Sequence, residues 1–153
     1  MLVSWGMSNE QNVQKGYHCV WQIHYHIVFP VKYRKVLLDS EVIKIIEETA
    51  LGIQQRYEIE IEALGMDNDH IHILCGAHPK ISAGRIVQIF KSITAREIFR
   101  KKSSVKDELW GGEFWTDGYY VGTVGEKGNW ETVEKYIKNQ GKPKEELVQI
   151  RLF

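Results

Sequence analysis

Between residues 18 and 29 the chain reads HCVWQIHYHIVF, with Trp21, Ile23, Tyr25, Ile27 and Phe29 at alternate places. Successive side chains of a strand point to opposite faces, so the spacing predicts one strand with an apolar face. Pro30, which has no N–H for a ladder, ends it. A basic loop, VKYRKVLL, follows, and Asp39 or Ser40 can cap a helix. Val42, Ile45, Ile46, Thr49, Ala50 and Ile53 then recur at helical spacing. Alternation returns in YEIEIEALGM (57–66), which predicts a half-exposed strand, and again in HIHILCGA (70–77). The Asp67-Asn68 region supplies the turn between these two strands. Ser82 can cap a second helix with Ile86, Ile89, Phe90 and Ile93 as its apolar stripe. In the glycine-rich stretch beyond it, EFW and YYVGTV read as short strands around an Asp117-Gly118 turn. Gly125 and Gly128 form a joint, and Asn129 caps a last short helix, WETVEKYIKNQ.

The resulting order, β-α-β-β-α-β and then a helix, predicts an α+β fold of the ferredoxin-like, split βαβ kind. Its antiparallel sheet places the first and third strands centrally and side by side. The extra C-terminal helix follows the glycine joint. Residues 1–16 are polar and unpatterned, and read as a flexible N-terminal extension. Residues 17–153 form a single domain, a size that one core can fill.

Composition narrows the class. No apolar run approaches the ~20 residues of a membrane-crossing helix, and MLVSWGMSNE lacks the charged start and apolar core of a signal peptide. Cys19 and Cys75 lie in apolar, strand-like runs and provide no disulfide framework, which suits a reducing, cytoplasmic setting. The formal net charge is +0, unlike a generic nucleic-acid binder. The charge is nevertheless polarised: residues 39–69 carry nine acids against Lys44 and Arg56, and residues 80–106 eight bases against Glu97. A basic face meeting phosphate would produce this pattern, and so would two solvated helix faces of opposite sign.

Chemistry concentrates in DNDHIHILC (67–75), where His70 and His72 share a strand face. Two imidazoles on one face can converge on a divalent ion that keeps positions open for other ligands. The spacing is weak alone, because His24 and His26 repeat it in HYH on the first strand. Tyr136 and Gln140 stand one turn apart on the last helix. They would offer a phenol nucleophile and a neutral oxygen ligand, although ordinary amphipathic packing explains the same spacing. A phenol of unperturbed pKa about 10 needs a base or a metal-polarised phosphate to attack at neutral pH.

The segments YHIVFPVKYRKVL, DNDHIHILC, KISAGRIVQIFKSITAREIF, LWGGEFWTDGYYVGTVG and VEKYIKNQ occur in this order. Together they resemble the single-tyrosine HUH transposases of small insertion sequences of the 200/605 type, over residues 18–142. The resemblance implies an enzyme that cuts and rejoins single-stranded DNA through a 5′-phosphotyrosine intermediate, with Tyr136 as nucleophile and His70, His72 and Gln140 as metal ligands. It implies DNA hairpins as partners and a homodimer that can exchange its C-terminal helices, and the mixed N/O ligand set permits Mg2+ or Mn2+ as cofactor. Lys32, Arg34, Lys35, Arg85, Lys91 and Arg96 are candidate phosphate contacts from charge and position. His24 and His26 have no role in the scheme beyond packing or hydrogen bonding beside the metal strand, and Asp69 reads as a turn residue that could orient His70. A domesticated enzyme nicking repeat hairpins would carry the same residues. A non-catalytic nucleic-acid-binding module is a third reading, opposed by strand aromatics that face the core.

Overall fold

The computed structural model describes residues 13–124 and the backbone of Val3–Ser4. Four principal strands, β1 (Tyr25–Pro30), β2 (Ile59–Met66), β3 (His70–Ala77) and β4 (Tyr120–Thr123), alternate with two helices, α1 (Ser40–Arg56) and α2 (Ala83–Lys101). The sheet runs β2-β3-β1-β4, antiparallel throughout, so the first and third strands are central and adjacent as expected. Val3–Ser4 pairs with the outer edge of β2. Among the described residues, no helix is long and apolar enough to cross a membrane. The predicted C-terminal helix lies outside the described residues.

Helix α1 begins where the Asp39 carboxylate accepts from Val42 N–H, and α2 where Ser82 Oγ accepts from Arg85 N–H. Each cap satisfies an amide that the first turn leaves without an intrahelical partner. The buried side of α1 consists of Val42, Ile45, Ile46, Thr49, Ala50 and Ile53. That of α2 consists of Ile86, Val87, Ile89, Phe90, Thr94 and Ile98, with Ile93 only partly covered. Both helices cover one face of the sheet, where Ile27 and Phe29 of β1 meet Ile71, Ile73 and Cys75 of β3.

Three segments depart from simple alternation. The expected single strand over 18–29 is divided: Val20–Trp21 pairs with Gln14–Lys15, and the main sheet starts at Tyr25. Between them the chain crosses β3 so closely that a Cβ on Gly76 would lie 2.9 Å from the Ile23 carbonyl oxygen. In β2, a bulge between Ile61 and Ala63 shifts the register. The extra residue, Glu62, reverses the parity, so Ile59 and Ile61 face the helices before it and Leu64 and Met66 after it. EFW does not form a strand. Phe114 and Trp115 are instead inserted into the core from an irregular loop, which touches the sheet by one bridge, Val31–Trp115. The loop turns at Gly111 and Gly112, both with positive φ.

Two anchors hold this loop. The Lys91 ammonium donates to the carbonyls of Thr116 (2.6 Å), Asp117 (3.2 Å) and Gly118 (2.9 Å). Trp115 Nε1–H donates to buried Thr94 Oγ1 at 2.8 Å, and Thr94 in turn donates to the Phe90 carbonyl. Thr94→Val keeps the shape but leaves the buried indole N–H without its acceptor. The expected cost is about 1–3 kcal/mol, read as a lower midpoint in urea unfolding with an unchanged slope.

Candidate active site

The antiparallel ladder places Pro30 opposite His70 and Val28 opposite His72, while Gly65 of β2 flanks His72 on its other side. Because Ile71 and Ile73 are committed to the helix-covered core, His70 and His72 face the opposite side of the sheet. Their ring centroids are 5.0 Å apart and the rings are inclined at 65°.

Each ring is held through its Nδ1. His70 Nδ1 lies 2.7 Å from Asp69 Oδ1, and Arg34 Nε donates to the other oxygen of that carboxylate at 3.0 Å. Burial pushes the Asp69 carboxyl up, but the hydrogen bonds from His70 and Arg34 outweigh it and hold the group below its usual value. An ionised carboxylate only accepts, so His70 carries its proton on Nδ1.

His72 Nδ1 lies 3.0 Å from Nε2 of His26, and the two rings stack at 5.2 Å and 15°. Both are buried, His26 at 2% exposure and His72 at 4%. Burial lowers the His26 pKa to about 4. Burial, with the nearby His26 and His70, lowers that of His72 to about 3. Both rings are therefore neutral near pH 7, and a neutral imidazole retains one lone pair for a metal or a donor. The Tyr120 ring stands edge-on to His26 at 6.1 Å, and burial raises its phenol pKa.

The first histidine of HYH goes elsewhere. His24 Nδ1 lies 2.7 Å from Oε1 of Glu62, the bulge residue. Cys19 is exposed, Cys75 buried, and both are free thiols.

The candidate phosphate contacts are dispersed. Lys32 pairs with Glu113 at 2.9 Å, Arg34 with Asp69, and Lys35 with Glu108 at 4.0 Å, all on loops near the His70 end of the sheet. Arg85 donates to Gln88 in the first turn of α2, and Lys91 is taken up by its three carbonyls. Arg96 lines an open groove between the two helices, on the helical side of the molecule. Tyr136 and Gln140 lie outside the described residues. Among the described residues, no three His, Cys, Asp or Glu side chains converge as a metal cage.

Sequence reasoning left His26 without a role and weighed Asp69 mainly as a turn residue. A signal for His26 was available: central adjacency of the first and third strands puts two HxH faces side by side. Nothing local indicates that Arg34 reaches Asp69.

This fold is that of solved transposase structures. The profile of the family described as Transposase IS200 like matches residues 19–140. The chain belongs to that family, whose members are enzymes acting on DNA. It is 31% identical to the ISDra2 transposase TnpA of Deinococcus radiodurans over 128 residues, covering 84% of this chain and 91% of the relative. It is 30% identical to the transposase for insertion sequence element IS200 of Salmonella typhimurium, covering 80% of each. A crystal structure of a transposase candidate from Deinococcus radiodurans R1 superposes with a TM-score of 0.68 at 31% identity, over 83% of this chain and 97% of that one. A REP-associated tyrosine transposase bound to a REP hairpin shares the fold at TM-score 0.52 and 14% identity, over 88% and 72% of the two chains.

The His24–Glu62 contact has a pH signature. The hydrogen bond that His24 donates to the Glu62 carboxylate is the largest influence on His24 and raises its pKa despite partial burial. A raised folded-state pKa contributes stability that is complete below the unfolded value of about 6.5 and is lost as pH rises through the folded value. The stability advantage of wild type over Glu62→Gln is therefore larger at about pH 6 than at about pH 9, measured by urea unfolding of both proteins at each pH.

Proposed function

We propose that the chain cleaves and rejoins single-stranded DNA by two transesterifications with Tyr136 as nucleophile. The observation that carries this reading is the pair of Nδ1-anchored imidazoles on one face of β3 in a chain of the IS200-like transposase family. In the first step the Tyr136 oxygen attacks a backbone phosphorus. The P–O3′ bond breaks, the 3′-oxygen leaves as a hydroxyl, and the 5′-phosphate stays on the tyrosine. In the second step a 3′-hydroxyl attacks that phosphotyrosine and releases the phenol. One phosphodiester is exchanged for another through a phosphotyrosine ester, so no nucleotide is consumed.

His70 and His72 fit a divalent cation, since each is anchored through Nδ1, they share one sheet face, and their ring centroids are 5.0 Å apart; Gln140 would complete the set. Mg2+ or Mn2+ bound there would polarise the scissile phosphate and offset the charge that develops on it. The chain's own contribution is orientation: Asp69 and Arg34 hold His70 through its Nδ1. Lys32, Arg34 and Lys35 border the His70 end of the sheet, where phosphates would approach. The partner is DNA carrying hairpins, as in the REP-hairpin complex of the structural relative. The protein acts as a homodimer whose C-terminal helices can be exchanged across the glycine joint. Identity of 30–31% to insertion-sequence transposases over most of their length favours an element-moving enzyme over a domesticated one.

The test is a covalent adduct between the protein and a hairpin-bearing single-stranded oligonucleotide with Mn2+, resolved on a denaturing gel. Tyr136→Phe should bind the oligonucleotide and form no adduct, whereas Tyr120→Phe should still form it. An adduct that persists in Tyr136→Phe and disappears in Tyr120→Phe would move the nucleophile to β4. His70→Ala and His72→Ala should each lose metal-dependent nicking and keep the circular dichroism of the wild type. Nicking that survives both changes would place the metal site elsewhere.

A further inference from the structure

We propose that His26 is a positioning residue for the metal site: its Nε2 accepts from His72 Nδ1–H and so holds His72 in the tautomer whose Nε2 carries the lone pair. This inference rests on the metal reading above and adds to it a residue and a direction of hydrogen bonding. The two nitrogens are 3.0 Å apart and the stacked rings are buried. Two ring nitrogens 3.0 Å apart form a hydrogen bond only when one donates and the other accepts, so a single hydrogen lies between them. With that hydrogen on His26, His72 would be protonated at Nε2, and its lone pair would sit on Nδ1, engaged with His26. With it on His72, Nδ1 is the donor and Nε2 becomes the ligand atom.

The neighbouring histidine follows the same rule. The Asp69 carboxylate can only accept, so His70 donates through Nδ1 and presents Nε2. The proposed assignment makes the two histidines equivalent, each anchored at Nδ1 and each ligating through Nε2. The sheet has room for the second anchor. His26 and His72 are diagonal neighbours across the β1–β3 ladder, within reach of side chains of this length. Their outer cross-strand neighbours are glycines, Gly122 beside His26 and Gly65 beside His72. The space over Gly122 is taken by the Tyr120 ring of β4, which stands edge-on to His26.

Three proteins, the wild type and two variants, and two spectroscopic measurements test the assignment. Mn2+ affinity is measured on the full chain by electron paramagnetic resonance titration. His26→Phe keeps an aromatic ring in the stack but has no nitrogen, and should weaken Mn2+ binding by about 10-fold or more. His26→Gln returns an acceptor near the position of Nε2 and should recover most of the loss. Independently of any variant, long-range 15N–1H correlation spectra of the metal-free wild type should show His72 protonated at Nδ1. His72 protonated at Nε2, or a folded His26→Phe that binds Mn2+ as the wild type does, overturns the positioning role. A wild type that binds no Mn2+ refutes the underlying metal reading, whichever tautomer His72 adopts.

Discussion

The pairing of β1 with β3, from Tyr25 opposite Cys75 to Pro30 opposite His70, is the contact on which both the core and the site depend. On one face it brings Ile27 and Phe29 against Ile71 and Ile73 beneath the two helices. On the other it brings His26 beside His72. A slip of one residue would turn all of these side chains to the wrong face. Fully burying a large apolar side chain contributes about 1.5–3 kcal/mol, and four of them sit in this short ladder. A single hydrogen bond between neutral groups contributes about 1 kcal/mol. Hydrophobic burial therefore enforces the register, and the histidine geometry follows from it.

The two anchoring arrangements differ in a way that burial explains. His70 lies at the rim of the sheet, where Asp69 can remain ionised because Arg34 and His70 both donate to it. His72 lies deeper, and its partner is an imidazole. A carboxylate in the place of His26 would bring a charge into a nearly dry position and would need a cation of its own. A neutral ring can accept the same hydrogen bond without that cost. The surrounding loops serve the same end: the turn carrying Tyr33 and Arg34 in left-handed conformation directs Arg34 toward Asp69, and backbone bonds from Val31 to Asp69 and from Leu38 to Asn68 fasten it to the β2–β3 turn.

Local pattern was sufficient wherever a segment's environment was uniform along its length. The buried side of α1 is the set of residues predicted from helical spacing, and Asp39 and Ser82 cap as their side-chain chemistry suggests. The pattern failed where a distant segment intervened. Gly76 accepts the backbone crossing at Ile23, which divides the first strand. The Glu62 bulge reverses the parity of β2, and Thr94 and Lys91 draw a loop into the core that short-range alternation reads as a strand. Each of these depends on a partner far away in sequence, which periodicity does not register.

The site divides along the same line. The sequence by itself determined that His70 and His72 share a strand face, because a strand repeats every two residues whatever surrounds it. Only the tertiary structure decided that His26 belongs with them while His24 turns to Glu62, and that Arg34 and Asp69 hold His70 in place. Strand order, register and hydrogen-bond direction are set by contacts between segments that meet only after the chain has folded. The same HxH spacing thus yields a pair of prospective ligands on β3 and, in HYH, one supporting ring and one peripheral ion pair.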